Sequence, residues 1–280
     1  MTKNSDLKLV AIGGGDLGKS PEIVKEYLAL IGSSPKIVVK TVATDHPDKA
    51  QEKYTEIFGE HGVDDVAMVD VFGRSDAYDA ASVRKIENAD TLYFTGGKQL
   101  YVTSLLGGTP VYDVLHKRYH EGMTIAGTSA GAAMMPTTMI VRGESNVCPR
   151  SGSVEFAPGL ALVSDVVIDT HFSQRGRYGR LLSAVAHYPQ DIGIGIDEGT
   201  AIIMQGSAFK VVGEGMVTVI DGSLMKHSSL AHAKPDEPVG LFDQKIHSLP
   251  NGYRFDLQER MPIAREVTRE AGVDAEQSGA

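Results

Sequence analysis

The sequence predicts an α/β fold, a mostly parallel sheet with helices on both faces, in one domain. Three observations carry that reading. Short apolar, β-branched runs alternate with amphipathic stretches through the first half of the chain. Glycine-rich turns and single polar residues follow several of those runs at the same end. No repeat, low-complexity stretch or Pro/Ser-rich linker divides the chain. Residues 1–264 therefore read as one unit, and 265–280, REVTREAGVDAEQSGA, as a polar tail.

The elements follow in order. LKLVAIGG (7–14) reads as a buried strand and PEIVKEYLALIG (21–32) as a helix, with Ile23, Val24, Tyr27, Leu28 and Ile31 on one face. Pro21 suits its first turn and Gly32 its stop. Strands are expected at 36–44, 65–71, 91–97 and 124–127, and helices at 48–62, 79–89 and 109–122. The run 161–172 leads to a histidine, 179–188 reads as a helix, and IGIGIDE (192–198) as a strand. From 201 to 223 the pattern becomes antiparallel strands joined by Gly turns, a C-terminal extension of the sheet.

Composition excludes several classes. The 280 residues are 42% hydrophobic and 22% charged, ordinary for a globular protein, with a net charge of −9 that argues against a nucleic-acid binder. No run approaches the length of a membrane helix, so no membrane partner is expected. Cys148 is the single cysteine, so no internal disulfide forms; with no signal-peptide pattern at the N-terminus, the cytoplasm is the expected location.

Two glycine motifs compete for function. GGGDLG (13–18) fits the dinucleotide pattern G-x-G-x-x-G after a strand, but the acid that such a fold places at the end of its second strand is late here, at Asp45. The motif reads either as a strand-to-helix turn or as the loop of a nucleotide-binding module. GTSAG (127–131) fits G-x-S-x-G between a short strand and a stretch able to start a helix. It is either a packing turn or an elbow that holds Ser129 out as a nucleophile.

A serine nucleophile needs a base, and the base needs an orienting group. His171 ends one β-branched run, and Asp197 and Glu198 end another. Together with Gly96–Gly97 and Ser129, they put four features beyond the carboxyl ends of separate strands, where open α/β sheets build their sites. The order Ser…His…Glu differs from the Ser…Asp/Glu…His of α/β-hydrolases. Arg175, Arg177 and Arg180 crowd the segment after His171, as a surface cluster or as a site for a substrate carboxylate. Asp169 suits a cationic substrate group. His116 and His120 are one helical turn apart, but Lys117 and Arg118 between them oppose a cation, so no metal is expected.

FTGGKQL, GTSAGAAMM, DTHFSQRGRYGRLLSAV and GIGIDEGTAI, in this order and spacing, resemble the cyanophycinase family of serine peptidases, which also includes the aspartyl dipeptidases of the E type. The resemblance spans roughly residues 8–225. It implies a flavodoxin-like domain akin to class I glutamine amidotransferases, no cofactor, and a homodimer. It implies Ser129 as nucleophile, His171 as base and Glu198 as the group orienting the histidine. It implies Gly97 and Ala130 as oxyanion-hole donors, and Gln99, Asp169, Arg175, Arg177 and Arg180 as substrate-binding residues. The substrate so implied is cyanophycin or a related Asp/Arg peptide, with short aspartyl peptides as the alternative; an acidic-peptide binder without turnover remains a third reading. Lys98 stands where such proteins commonly have Asp or Asn, and Thr170 where they commonly have Gln.

Overall fold

The structure is a computed structural model that describes residues 7–41, 47–145 and 148–265. Asp45 and residues 266–280 of the expected tail lie outside the described residues. Five parallel strands form one half of a nine-stranded sheet: β1 (Lys8–Ile12), β2 (Ile37–Lys40), β3 (Val66–Val69), β4 (Thr91–Phe94) and β5 (Thr124–Thr128), in the order β1-β5-β4-β2-β3. Between them run α1 (Pro21–Ile31), α2 (Pro47–Gly59), α3 (Ala80–Glu87), α4 (Gln99–Leu106) and α5 (Pro110–His120). The layers and the parallel strands match expectation. The plain flavodoxin order 2-1-3-4-5 does not, because β1 lies beside β5 rather than beside β2.

The alternation of side chains explains the two-faced cover. Leu9 and Ala11 of β1 pack with Ile86 of α3, Val102 of α4 and Leu115 of α5. Val10 and Ile12 point the other way, onto Ile23 and Tyr27 of α1 and Phe58 of α2. Helix starts follow local chemistry. Asp79 caps α3 by accepting from Ala81 and Ser82 N–H, and Thr109 caps α5 ahead of Pro110 by accepting from Tyr112 N–H.

After β5 come the short α6 (Ala130–Ala133) and the hairpin β6 (Thr138–Gly143)–β7 (Val154–Pro158). Next are β8 (Val166–Thr170), α7 (Tyr178–His187), β9 (Ile192–Ile196), β10 (Thr200–Gln205), β11 (Ala208–Gly213) and β12 (Val217–Asp221). β13 (His227–Ser228) and β14 (Leu241–Phe242) form a small pair, followed by β15 (Lys245–Leu249), β16 (Arg254–Asp256) and β17 (Met261–Ile263).

Two expectations are corrected here. The run 201–223 is not one extension. β10 and β11 continue the large sheet, β10 antiparallel to β1 and β11 antiparallel to β10, and β16 and β17 complete it. β12 instead crosses to a second sheet, β15-β12-β9-β8, in which β8 and β9 are parallel. The crossing follows Gly213, whose φ of 118° and tight approach to the Gly199 carbonyl admit no side chain. The second correction is α4, absent from the sequence reading. Its exposed Leu100 and Tyr101 spoil the apolar stripe that marks a helix.

The second sheet lies against the first through Ile192, Ile194 and Ile196 of β9 and Val217 and Val219 of β12, all in the main core. The glycines of IGIGI face the opposite way. A Cβ on Gly193 would stand 2.8 Å from Val185 of α7, and one on Gly195 would stand 2.5 Å from the Phe172 ring. The alternation Ile-Gly-Ile-Gly-Ile thus fills one face and leaves the other bare, so that α7 and Phe172 can lie flat on it.

Candidate active site

Five strand ends meet at one edge. β5 ends at Ser129, whose φ of 55° and ψ of −114° are strained for any residue with a Cβ, by about 1–3 kcal/mol. The flanking glycines make the turn feasible. A Cβ on Gly127 would stand 2.5 Å from the Gly131 carbonyl oxygen, and one on Gly131 would stand 2.5 Å from that of Phe94. Ser129 N–H donates to the Ile12 carbonyl at 2.9 Å, pinning the elbow to β1.

β8 ends at His171, also at positive φ, 49°, with its N–H donating to the Gly13 carbonyl at 2.7 Å. Its ring joins serine to carboxylate. Ser129 Oγ lies 2.7 Å from His171 Nε2, and His171 Nδ1 lies 2.5 Å from Glu198 Oε1. A carboxylate only accepts, so Nδ1 carries the proton and Nε2 is left to accept from the serine hydroxyl. Burial pushes the His171 imidazole below its ordinary value; the bond to Glu198 opposes this, and Arg175 and Arg177 add to it. The ring is therefore neutral near pH 7, the state a base requires. Glu198 is held in turn by its N–H, which donates to the Gln174 side-chain oxygen at 3.0 Å.

The loop Gly13–Gly15 after β1 is the wall that the sequence reading missed. A Cβ on Gly14 would stand 2.3 Å from His171 Cε1, and one on Gly13 would stand 2.1 Å from the Asp197 carbonyl oxygen. The run GGG gave the signal. The backbone approaches a histidine of the same chain, so the space beside Gly14 that a nucleotide reading needs is filled by that ring. Gly13 N–H donates to Thr200 of β10 in the same sheet, while the His171 N–H to the Gly13 carbonyl joins the loop to the end of β8 in the second sheet.

The remaining expected residues separate into those at the opening and those beneath it. Gly96 approaches Ser129, a Cβ there standing 3.5 Å from the serine Cβ, and Gly97 next to it has a φ of 144°. Among the described residues, neither Gly97 N–H nor Ala130 N–H donates to a protein acceptor. Gln99 donates its side-chain N–H to the carbonyls of Ile140 and Val141 at 2.9 and 3.2 Å, which ties α4 to β6. Arg175 is exposed, and Arg177 is partly buried. The reading of Asp169 as a free acid for a cationic group is corrected. It is 1% exposed, and its carboxylate is held by Arg177 and by the fork of Arg180, itself buried. β8 is buried along its whole length, on both faces, so its side chains, Asp169 among them, lie inside the fold. Asp197 has a fixed structural use, accepting from Ser173 N–H and Met216 N–H. His116 Nε2 is engaged with the Leu160 carbonyl at 2.9 Å, and among the described residues no group of three His, Cys, Asp or Glu is placed to hold a metal.

A strained serine turn, a neutral histidine and a carboxylate in one hydrogen-bonded line have the geometry of a serine-hydrolase site on an α/β frame. The family model described as peptidase family S51 matches residues 9–212, and this chain belongs to that family of peptidases. It is similar to the cyanophycinase of Geminocystis herdmanii (strain PCC 6308), at 33% identity over 91% of this chain and 95% of the relative. It is also similar to that of Nostoc sp. (strain PCC 7120), at 35% identity over 93% and 89%. A crystal structure of a peptidase from an acI-B1 Actinobacterium shares the fold at a TM-score of 0.66 and 20% identity, covering 89% of this chain and 96% of that one. A putative peptidase E protein from Listeria monocytogenes EGD-e does so at 0.51 and 13%, covering 75% and 99%. The chain is a hydrolytic, cyanophycinase-like peptidase.

Proposed function

We propose that this peptidase hydrolyses cyanophycin or a closely related Asp/Arg peptide through Ser129, His171 and Glu198, with an acyl-enzyme intermediate and β-Asp-Arg as product. The observation that carries the reading is the unbroken line from Ser129 Oγ through the His171 ring to Glu198 Oε1. Its basic flank, Arg175 and Arg177, suits a substrate rich in carboxylates in a protein of net charge −9. The named activity of the relatives supports the same substrate.

In the mechanism, Ser129 Oγ attacks a backbone carbonyl as His171 Nε2 takes its proton. Gly97 and Ala130 N–H groups receive the oxyanion, a donor of this kind being worth roughly 3–4 kcal/mol. His171 then protonates the leaving amine, and water, deprotonated by the same nitrogen, releases the acyl group. Gln99, tied to β6 through its amide N–H, leaves its side-chain oxygen as the group for substrate, while Asp169 and Arg180 set the position of Arg177. The working unit in this reading is a homodimer in the cytoplasm, on a frame akin to class I glutamine amidotransferases.

Incubation with cyanophycin and identification of products by mass tests the reading. The expected product has the mass of one Asp-Arg unit, and Ser129→Ala gives none. Release of that product by the alanine variant would remove Ser129 as nucleophile, whereas an intact polymer with a cleaved short aspartyl peptide would replace the substrate.

A further inference from the structure

Lys98 and Tyr101 take no part in the Ser129–His171–Glu198 line, yet they stand beside it. Lys98 follows Gly97 and opens α4. Tyr101 lies one turn on, with its N–H donating to the Lys98 carbonyl at 3.0 Å, and residues three apart share a helix face. Tyr101 is 53% exposed, and the Lys98 ammonium lies 5.3 Å from the centroid of its ring. A cation and an exposed aromatic ring are thus paired at the start of α4, directly after Gly97. Arg175 and Arg177 occupy the stretch that follows His171.

We propose that Lys98 and Tyr101 form a subsite for a second unit of the polymer, beyond the unit that carries the scissile bond. The proposal rests on the cyanophycin reading. Each unit of that polymer carries a guanidinium and, from the same arginine, a free α-carboxylate. The Lys98 ammonium matches the carboxylate. The Tyr101 ring already attracts one cation, and a guanidinium, planar and weakly hydrated, stacks on such a ring better than an ammonium does. As the unit docks, the Lys98 ammonium turns towards the carboxylate and the guanidinium takes its place on the ring.

Kinetics on β-Asp-Arg oligomers of two to six units test the subsite. Wild type is expected to favour the longer oligomers in kcat/KM, through KM. Lys98→Ala and Tyr101→Ala each cut that preference about tenfold, an effect read in KM rather than kcat, whereas Tyr101→Phe keeps the ring and keeps the preference. Leu100→Ala, exposed on the same turn, preserves it as well and controls for general damage to α4. Wild-type hydrolysis with a length preference that Lys98→Ala and Tyr101→Ala leave intact would overturn the subsite alone. No hydrolysis of any oligomer by wild type would overturn the substrate reading, and the subsite with it.

Discussion

Ser129 shows how a single residue is held against its own preference. Its backbone stands where only glycine is comfortable, and the bond to Ile12 together with the close packing of Gly127 and Gly131 keeps it there. Ser129→Gly is therefore expected to raise stability by about 1 kcal/mol while abolishing turnover, a pairing that thermal melts and activity assays read together. His171 yields a second prediction. With its ring held below the ordinary histidine value, the acid limb of kcat/KM falls below pH 6.5. Arg175 contributes to that lowering, so Arg175→Ala makes the protonated ring easier to form, moves the limb to higher pH, and costs activity first on the acid side. A limb that stays in place, or moves down, would show that Arg175 does not face His171. The residues of this line were legible in the sequence because each follows an apolar run and carries its own chemistry. The sequence shows Asp169 as an acid near arginines without showing that it is buried in β8, where Arg177 and Arg180 pair with it.

At the scale of elements, the three-glycine loop after β1 and the strand IGIGI do the positioning. Gly14→Ala is expected to lower kcat by at least 10²-fold with little change in KM, because the added methyl displaces the His171 ring by more than its hydrogen bond to Ser129 tolerates. A variant with wild-type kcat would mean that the ring and loop are not in contact. Gly195→Ala overpacks Phe172 instead, and an expected loss of about 1–3 kcal/mol would appear in chemical denaturation. Both segments are visibly glycine-rich in the sequence, but what approaches the glycines is not. A missing Cβ records only that something is near. The helices with capped starts and clean apolar stripes were read correctly for the opposite reason, since their signal is local. α4 escaped because its exposed face carries Leu100 and Tyr101.

At the scale of the molecule, the two large sheets share the main core. The second sheet was invisible in the sequence because the antiparallel run from 201 to 223 gives no local sign of where one sheet hands over to the other. One ion pair ties them at the far end. Arg260, between β16 and β17, donates to Asp221 of β12, a carboxylate with no exposure, and to the Gln190 carbonyl. Arg260→Ala leaves that buried carboxylate to the Ser223 N–H and hydroxyl, and is expected to cost about 1–3 kcal/mol in one cooperative unfolding transition rather than splitting it in two.

The division of labour between the sheets has a further result. The serine belongs to the large sheet, and the histidine and carboxylate to the small one, so the line between them is a gauge of how well the two surfaces mesh. A slip of one ångström breaks it while every strand stays paired. Under mild denaturant, catalysis should vanish before the far-ultraviolet circular dichroism signal changes, and the enzyme should report the loosening of its own interior earlier than any backbone probe.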